Sequence, residues 1–459
     1  MESIKKMYHQ ILQADPIAAK RSLDFLYAGI ADKIVYKGKP IPIILEPGLI
    51  TPEKLDTYKC MLADAQQVLE LIIDIALDKK QPKPEELSLY NDIREMFNLT
   101  EEELALMTLD CGSSQHIAIY RLDFYSNGHP YILEFNCDSA GGIMEAYCAT
   151  ELFLELPQFK TLQEEGFSFL PDNGPHRILQ TLLNSRYQGR EKVAKPTILI
   201  TDWRDVGSKV EQERLRDFFE AKGYRTILAD PRDLVFRGGL LLYNGETINI
   251  VHRRVIVKEL TQKFSDIQPF FEAVRAGAVS VINPFSSALG SNKAILSVMS
   301  DPRYHALYDS NLVSFIRQYI PWTRMFNFKP EPTIIETVSQ NKDHYVIKQC
   351  KSYGGEAVVV GRSKDQGEWL RKIDQILATK DELWIVQEFV DRAFDIFPFV
   401  EGDQVVLNKM VFNVNPFIIE SEYACGIVRL SPPDTYVINA AQGGAQIPMI
   451  QYTDRALSA

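Results

Sequence analysis

Along the first hundred residues, apolar positions recur every three or four residues. Leu55, Tyr58, Leu62, Ala65, Leu69, Ile72 and Ile73 keep that spacing, which predicts a long amphipathic helix. It opens at Thr51-Pro52, a capping residue followed by proline at the first helical position, and Gln81-Pro82-Lys83-Pro84 ends it. Thr100-Glu101-Glu102-Glu103 is a capping box for a short helix. From Tyr120 the period becomes two. Two alternating runs meet at Ser126-Asn127-Gly128-His129, and Asn-Gly between such runs is a strong hairpin signal. With Asn127 and Gly128 as the loop, Asp123 lies opposite Ile132 and Arg121 opposite Glu134. Arg121, Asp123, Glu134 and Asn136 then share one face with Ile117, Ile119 and Ile132. Leu122, Phe124, Leu133 and Phe135 take the other face and serve as core. A slip of one residue would break that shared face. A helix over 143–156 follows Gly141-Gly142.

Residues 157–195 read as a connector with one helical piece. From Pro196, strand (197–200), amphipathic helix (210–222) and strand (224–228) imply a parallel α/β unit. A second Asn-Gly hairpin spans 240–251, and a strand over 278–282 leads into Asn283-Pro284-Phe285. Beyond Ser291-Asn292-Lys293, which begins a helix, strands are predicted at 344–349, 357–361, 383–388, 394–400, 404–412 and 423–430, with a helix over 366–378. This is an α+β layout with an antiparallel sheet. The segments are a helical N-terminal region (1–110), a segment around the first hairpin (111–160), the connector (161–195), an α/β domain (196–290) and the α+β region (291–459).

The chain of 459 residues suggests two or three domains, and its 46% apolar and 24% charged content is that of a globular protein. A net charge of −11 argues against a broad nucleic-acid surface. There is no run of 18 uncharged apolar residues for a membrane span and no apolar stretch of a signal peptide at Met1 to Gln10. The six cysteines are scattered, without a C-x-x-C pair, and read as reduced thiols of a cytoplasmic protein.

The hairpin face carries the first candidate chemistry. Two carboxylates, an amide oxygen and a guanidinium on one patch suit Mg²⁺ with phosphate, since Mg²⁺ takes oxygen ligands from one or two carboxylates plus substrate phosphates. Arg121 can grip a phosphate with two parallel hydrogen bonds. The plain alternative is a solvated face with a cross-strand Arg121–Glu134 pair. In Lys348-Gln349-Cys350-Lys351-Ser352-Tyr353-Gly354-Gly355 a strand-end lysine precedes a glycine pair that lets backbone N–H groups approach phosphate oxygens. Lys293 stands at a helix start, where anions are favoured. The run ending Gln387-Glu388-Phe389-Val390 offers backbone groups to an adenine edge and Glu388 to a sugar hydroxyl. Arg429 lies in the last segment, where Glu420, Glu422 and Asp434 have no metal-site spacing. Arg253-Arg254 could clamp a substrate carboxylate, and Asp138 and Ser139 could meet an acyl substrate. Each could equally be a surface or core residue when taken alone. No P-loop or G-x-G-x-x-G motif is present.

In order, these pieces resemble the ATP-grasp ligases, specifically the circularly permuted branch typified by glutathionylspermidine synthase. Arg121-x-Asp123 followed by Glu134-x-Asn136-x-Asp138, ahead of Lys293, Lys348, Tyr353-Gly354-Gly355 and the 386–390 hinge, is similar to that branch over roughly 120–150 and 196–450. The long interval between the lysines, Gln349-Cys350-Lys351 in place of a proline, and the lack of an amidase domain depart from it. The resemblance implies a permuted ATP-grasp fold with a Rossmann-like pre-ATP-grasp domain at 196–290. It implies an ATP-dependent carboxylate–amine ligase acting through an acyl phosphate. Asp123, Glu134 and Asn136 would hold Mg²⁺, and Lys293, Lys348, Tyr353, Gly354, Gly355, Gln387, Glu388, Phe389 and Val390 would hold ATP. Arg121 and Arg429 would be catalytic. The expected partners are a small carboxylate and an amine (amino acid, peptide or polyamine), with neither nucleic acid nor membrane, and a homodimer is compatible. A small-molecule kinase and a non-catalytic nucleotide-binding protein are the alternatives.

Overall fold

A computed structural model describes residues 2–36, 38–185, 193–206, 209–352, 354–355, 357–438 and 444–454. Its centre is an eight-stranded sheet. The order is Gly48–Ile50, Ala445–Asp454, Glu422–Ser431, Gln404–Ile419, Ile119–Ser126, Pro130–Asn136, with Ala393–Glu401 and Phe167–Leu170 paired off this path. Residues near 120 and residues beyond 404 therefore share one sheet, and the long strand Gln404–Ile419 pairs directly with Ile119–Ser126. One face is apolar. Leu122, Phe124, Ile132 and Phe135 are buried there with Tyr58, Leu62 and Leu69 of helix Pro52–Ala76. The Tyr58 and Phe124 rings meet edge-on at 5.1 Å, and Tyr120 Oη donates to Leu62 O. Each such side chain stabilises the fold by about 1.5–3 kcal/mol, which fixes the hairpin's back and turns its polar residues outward. The helix starts as its sequence predicts, with Thr51 Oγ1 accepting from Lys54 N and Pro52 in the first turn, but it stops at Ala76, before the Gln81 to Pro84 run.

A second, four-stranded antiparallel sheet follows the order Thr323–Met325, Trp384–Glu388, Tyr345–Gln349, Val358–Val360. Its own core includes Trp369, Ile373 and Ile376 from helix Gln366–Ala378. A third sheet is parallel: Ser280–Ile282, Ile250–Arg253, Ile198–Thr201, Thr226–Ala229. Asn283, just past its first strand, ties it to the hairpin. Its amide oxygen accepts from Ala118 N and Ile119 N, and its nitrogen donates to Ile119 O and Cys137 O.

Several elements differ from the sequence reading, among them strands Gly48–Ile50 and Thr323–Met325, which it did not foresee. Residues 157–195 hold helices Pro157–Glu164 and Gly174–Asn184 and strand Phe167–Leu170, where one helical piece was expected. The 240–251 hairpin ends at Ile248, because Asn249 breaks it by receiving Thr197 N on its side chain. Strand Ile250–Arg253 then joins the parallel sheet. Strand Ala445–Asp454 was unforeseen, since Pro448 reads as a strand breaker. Pro448 stands on the last rung with Glu422–Ser431, before the ladder passes to Gly48–Ile50 and Phe167–Leu170. The six cysteines are free. Among the described residues no helix is long and apolar enough to cross a membrane.

Candidate active site

The hairpin register differs from the expected one, yet its polar face survives. Ser126 pairs with Pro130, so the loop has three residues. His129 is drawn out of the strand by Tyr319, on which its ring stacks at 5.3 Å, and by Gln318 O at 2.7 Å. A bulge then leaves Asp123 opposite Glu134 and Arg121 opposite Asn136, with Leu133 as the extra residue. The two irregularities each shift the register by one, and together they restore the parity of the face. Arg121, Asp123, Glu134 and Asn136 line one side as the alternation predicts. Ile132 moves to the core side opposite Phe124, and Leu133 moves to the cleft side. Leu133 also turns its carbonyl to Lys348 Nζ at 3.2 Å.

This face is the floor of a cleft of about 680 Å³, walled by the second sheet and the α/β unit. Arg121 holds Asp123 with two parallel hydrogen bonds, Nε to Oδ1 at 2.7 Å and Nη2 to Oδ2 at 2.9 Å, and donates Nη1 to Gly141 O. Arg429 Nη1 stands 3.6 Å from Asp123 Oδ2. Burial, with Arg121 alongside, pulls Arg429 down to about 10. Glu134 meets Lys293 Nζ at 3.3 Å. Burial works to raise its carboxyl, but Lys293, Lys348 and Arg121 outweigh that and hold it at about 2. Arg121, Arg429, Lys293 and Lys348 thus surround Asp123 and Glu134, a surplus of positive charge that suits a polyanion. Among the described residues there is no group of three or more His, Cys, Asp or Glu that could hold a metal. The available donor set is two carboxylates and an amide, the sparse oxygen set with which Mg²⁺ is held beside phosphates.

Lys348 projects from the central strand of the second sheet. Burial lowers it to about 8, against the pull of Glu134 and Asp123. Gln387 fixes it: Oε1 accepts from Lys348 Nζ at 2.7 Å, and Nε2 donates to Thr323 Oγ1. The Gln387 side chain therefore serves the lysine and is not free to read a base. Glu388 is exposed at the strand's end. Phe389 N donates to His344 O, and the Phe389 ring lies 4.1 Å from the Arg362 guanidinium. Glu388, Phe389, Val390, Gly354 and Gly355 line the cleft. Both glycines have positive φ, 68° and 74°, which a glycine adopts without strain. Tyr353 lies outside the described residues. Lys293 directly precedes helix Ala294–Ser300. Its N–H donates to Cys350 O and its Nζ to Ser352 O, so it anchors the segment that runs into the glycine pair.

The far wall corrects two readings. Arg253 cannot clamp a substrate, because its side chain is 0% exposed and spent on Asp138, Val255 O, Pro284 O, Asn283 O and Ser287. Asp138 is equally committed, since its Oδ2 accepts from Val257 N. Both hold the α/β unit to the hairpin. Arg253→Met leaves a buried carboxylate without its partner and is expected to cost about 3–5 kcal/mol, read by urea unfolding. Arg254 does face the cleft, with Nη2 on Glu211 Oε2 at 3.0 Å and Nη1 on Ala140 O. Glu211 Oε1 in turn accepts from Gly142 N and Ile143 N at the start of helix Ile143–Leu154. Gly142 enters that helix at φ 113°, and a Cβ on Gly141 would stand 3.2 Å from both Arg254 Nη2 and Glu211 Oε2.

Sequence reasoning missed Glu145, Glu211, Asn413, Asn415 and Gln446. The asparagines sat in a strand whose alternation Pro416 obscured, and the acids lay in helices read only for their apolar face. Asn413 and Asn415 are 6% and 0% exposed, and neither amide atom of Asn415 is hydrogen-bonded among the described residues. Asn136 Nδ2, Asn413 Oδ1 and Arg429 Nε are also buried without a partner among the described residues. All come from strands of the central sheet, and their alternation puts them on the Asp123 side.

No family model matches the chain. It is 26% identical over 208 residues to a putative glutamate–cysteine ligase 2-3 of Frankia alni, covering 43% of this chain and 22% of that protein. It is 22% identical over 255 residues to a putative glutamate–cysteine ligase 2-2 of Frankia casuarinae, covering 52% of this chain and 28% of that protein. The matched part thus spans about a quarter of the length of these relatives. Among solved structures, a glutathione synthetase-like effector (GSS30) of Globodera pallida superposes with a TM-score of 0.57 at 13% identity, over 97% of this chain and 95% of that one. The fold is of the ATP-grasp kind, as the sequence led one to expect.

Proposed function

We propose that the chain is an ATP-dependent carboxylate–amine ligase working in this cleft, with its ATP-grasp segments in the permuted order read from the sequence. The supporting observation is the row of buried polar atoms without partners on the Asp123 side of the central sheet. Such atoms are costly to bury unsatisfied, and here they sit among four cations. A triphosphate with Mg²⁺ would supply acceptors for the N–H groups of Asn136, Asn415 and Arg429, a cation for the amide oxygens, and negative charge for the surrounding cations. Asp123, Glu134 and Asn136 would hold Mg²⁺, which lowers the charge on the phosphate oxygens.

Lys348 and Lys293 draw the phosphates in, and Gly354 and Gly355 bring backbone close to them. Glu388 to Val390 form the wall for the base. Arg121 steadies the transferring phosphoryl group, and Arg429 its developing charge. A carboxylate oxygen of the acid attacks the γ-phosphorus, and the bond to the ADP oxygen breaks. The amine nitrogen then attacks the carbonyl carbon of the acyl phosphate, and phosphate departs with the C–O electron pair. The cleft walls keep water from the acyl phosphate.

The relatives' names make L-glutamate and L-cysteine the first pair to test, ahead of other amino acids, small peptides and polyamines. The assay is release of ADP and phosphate with ATP and Mg²⁺. Release that needs both acid and amine, with a product mass equal to their sum less water, supports the ligase. Phosphate retained on the product makes the protein a kinase, and nucleotide binding without turnover makes it a non-catalytic binder.

A further inference from the structure

The far wall of the cleft holds a carboxyl that phosphate binding leaves unused. Glu145 lies in the first turn of helix Ile143–Leu154 and lines the cleft. A cross-strand row leads to it: Asn413 pairs with Arg429, Arg429 with Gln446, and Gln446 Nε2 donates to Glu145 Oε2 at 2.5 Å. Asn413 and Arg429 line the cleft and carry unpartnered buried atoms, Oδ1 and Nε, so the row is built to meet a ligand. Asp123, Glu134 and Glu211 are each paired with a cation. Glu145 has a neutral amide instead. The charged groups facing it are Glu211 from helix Val210–Ala221, Arg429 from the central sheet and Arg121 from the hairpin. The same two arginines face Asp123, so Glu145 borders the place where the acyl phosphate would form.

Resting on the ligase reading, we propose that Glu145 is the base that takes the proton from the incoming amine. An ammonium N–H passes its proton to a Glu145 carboxylate oxygen. The freed lone pair forms the C–N bond as the C–O bond to phosphate breaks. The second proton leaves the new amide nitrogen with the departing phosphate. Burial and then Glu211 raise Glu145 to about 7, against the pull of Gln446, Arg429 and Arg121. A base matched to neutral pH is both ionised and able to hold a proton. The class of amine implied is one protonated at neutral pH, such as an amino acid or polyamine.

The test separates acyl-phosphate formation from amine attack. Hydroxylamine is already uncharged near neutral pH, so it traps an acyl phosphate as the hydroxamate without help from a base. Wild type and Glu145→Gln are assayed with ATP, Mg²⁺ and the same panel of acids, with hydroxylamine or with the amino acids and polyamines as acceptor. Amide formation by the variant is expected to fall about 100-fold while hydroxamate formation stays within about twofold, as loss of a general base requires. The acidic limb of the wild-type amide profile near pH 7 should vanish in this variant. In Gln446→Leu, which removes the donor to Glu145, that limb should move to higher pH. Equal loss of both products, or amide formation unchanged, overturns the assignment. If wild type forms neither product from any acid, the ligase reading itself fails.

Discussion

Glu134→Gln is expected to lower ATP-dependent turnover by about 100- to 1,000-fold, the scale of removing one fixed electrostatic contact from a reacting centre. The change keeps the side chain's size and deletes one charge. That charge sits among Lys293, Lys348 and Arg121, so its loss acts twice. It removes a carboxylate from the candidate metal set, and it leaves the lysines facing each other with Asp123 the remaining acid among them. Lys348 then titrates lower still, since Glu134 is what supports its charge against burial. Steady-state turnover and nucleotide affinity, measured on the same preparation, read both effects. Wild-type turnover in the variant would remove Glu134 from the mechanism. The stability effect has a definite sign. Glu134 titrates at about 2, below its ordinary range near 4.5. Its ion pairs therefore stabilise the fold above that ordinary range, and the contribution is lost as pH falls toward 2. Thermal unfolding of wild type and variant should differ at neutral pH and converge in acid.

The candidate floor was legible because alternation in a hairpin is local. Arg121, Asp123, Glu134 and Asn136 could be placed on one face from period two alone, and the placement survived two register irregularities because the shifts cancelled. Neither irregularity could be foreseen. His129 leaves the strand for Tyr319, nearly two hundred residues on, and the Leu133 bulge points its carbonyl at Lys348. The mix of a parallel α/β unit and an antiparallel α+β region was likewise readable from the order of strands and helices, whereas the ATP-grasp kind came only from the resemblance of the ordered motifs. Gln387 shows where local reading stops. The strand end suggested backbone groups for a base, and nothing local showed that the Gln387 side chain is spent on Lys348 and Thr323. Arg253 and Asp138 are likewise committed to partners that no local pattern shows. Residues 115 positions apart form one buried pair, and nothing in either neighbourhood marks it. Glu145 and Gln446 meet across a separation of 301, beyond any period that a sequence displays.

Lys348 carries the second large effect, and it is a dependence on pH. Its ammonium is buried, and the free protein holds it only to about 8. A nucleotide phosphate needs the charged form, so binding and protonation are linked. From about pH 7.5, where nucleotide phosphates are fully ionised, wild-type affinity for ATP should stay level until the lysine begins to lose its proton. Above that point it should weaken by up to about tenfold per pH unit, because binding must first return the proton. Lys348→Met removes a charge-assisted contact and is expected to cost about 10- to 100-fold in affinity at neutral pH, with no weakening of this kind at higher pH. Gln387→Leu provides the control. It leaves the lysine in place but withdraws the oxygen that accepts from its ammonium, so the onset of weakening should move to lower pH. Isothermal titration with a non-hydrolysable ATP analogue across this range reads all three proteins. A wild-type profile that stays flat while Lys348→Met binds as tightly would remove Lys348 from the phosphate site.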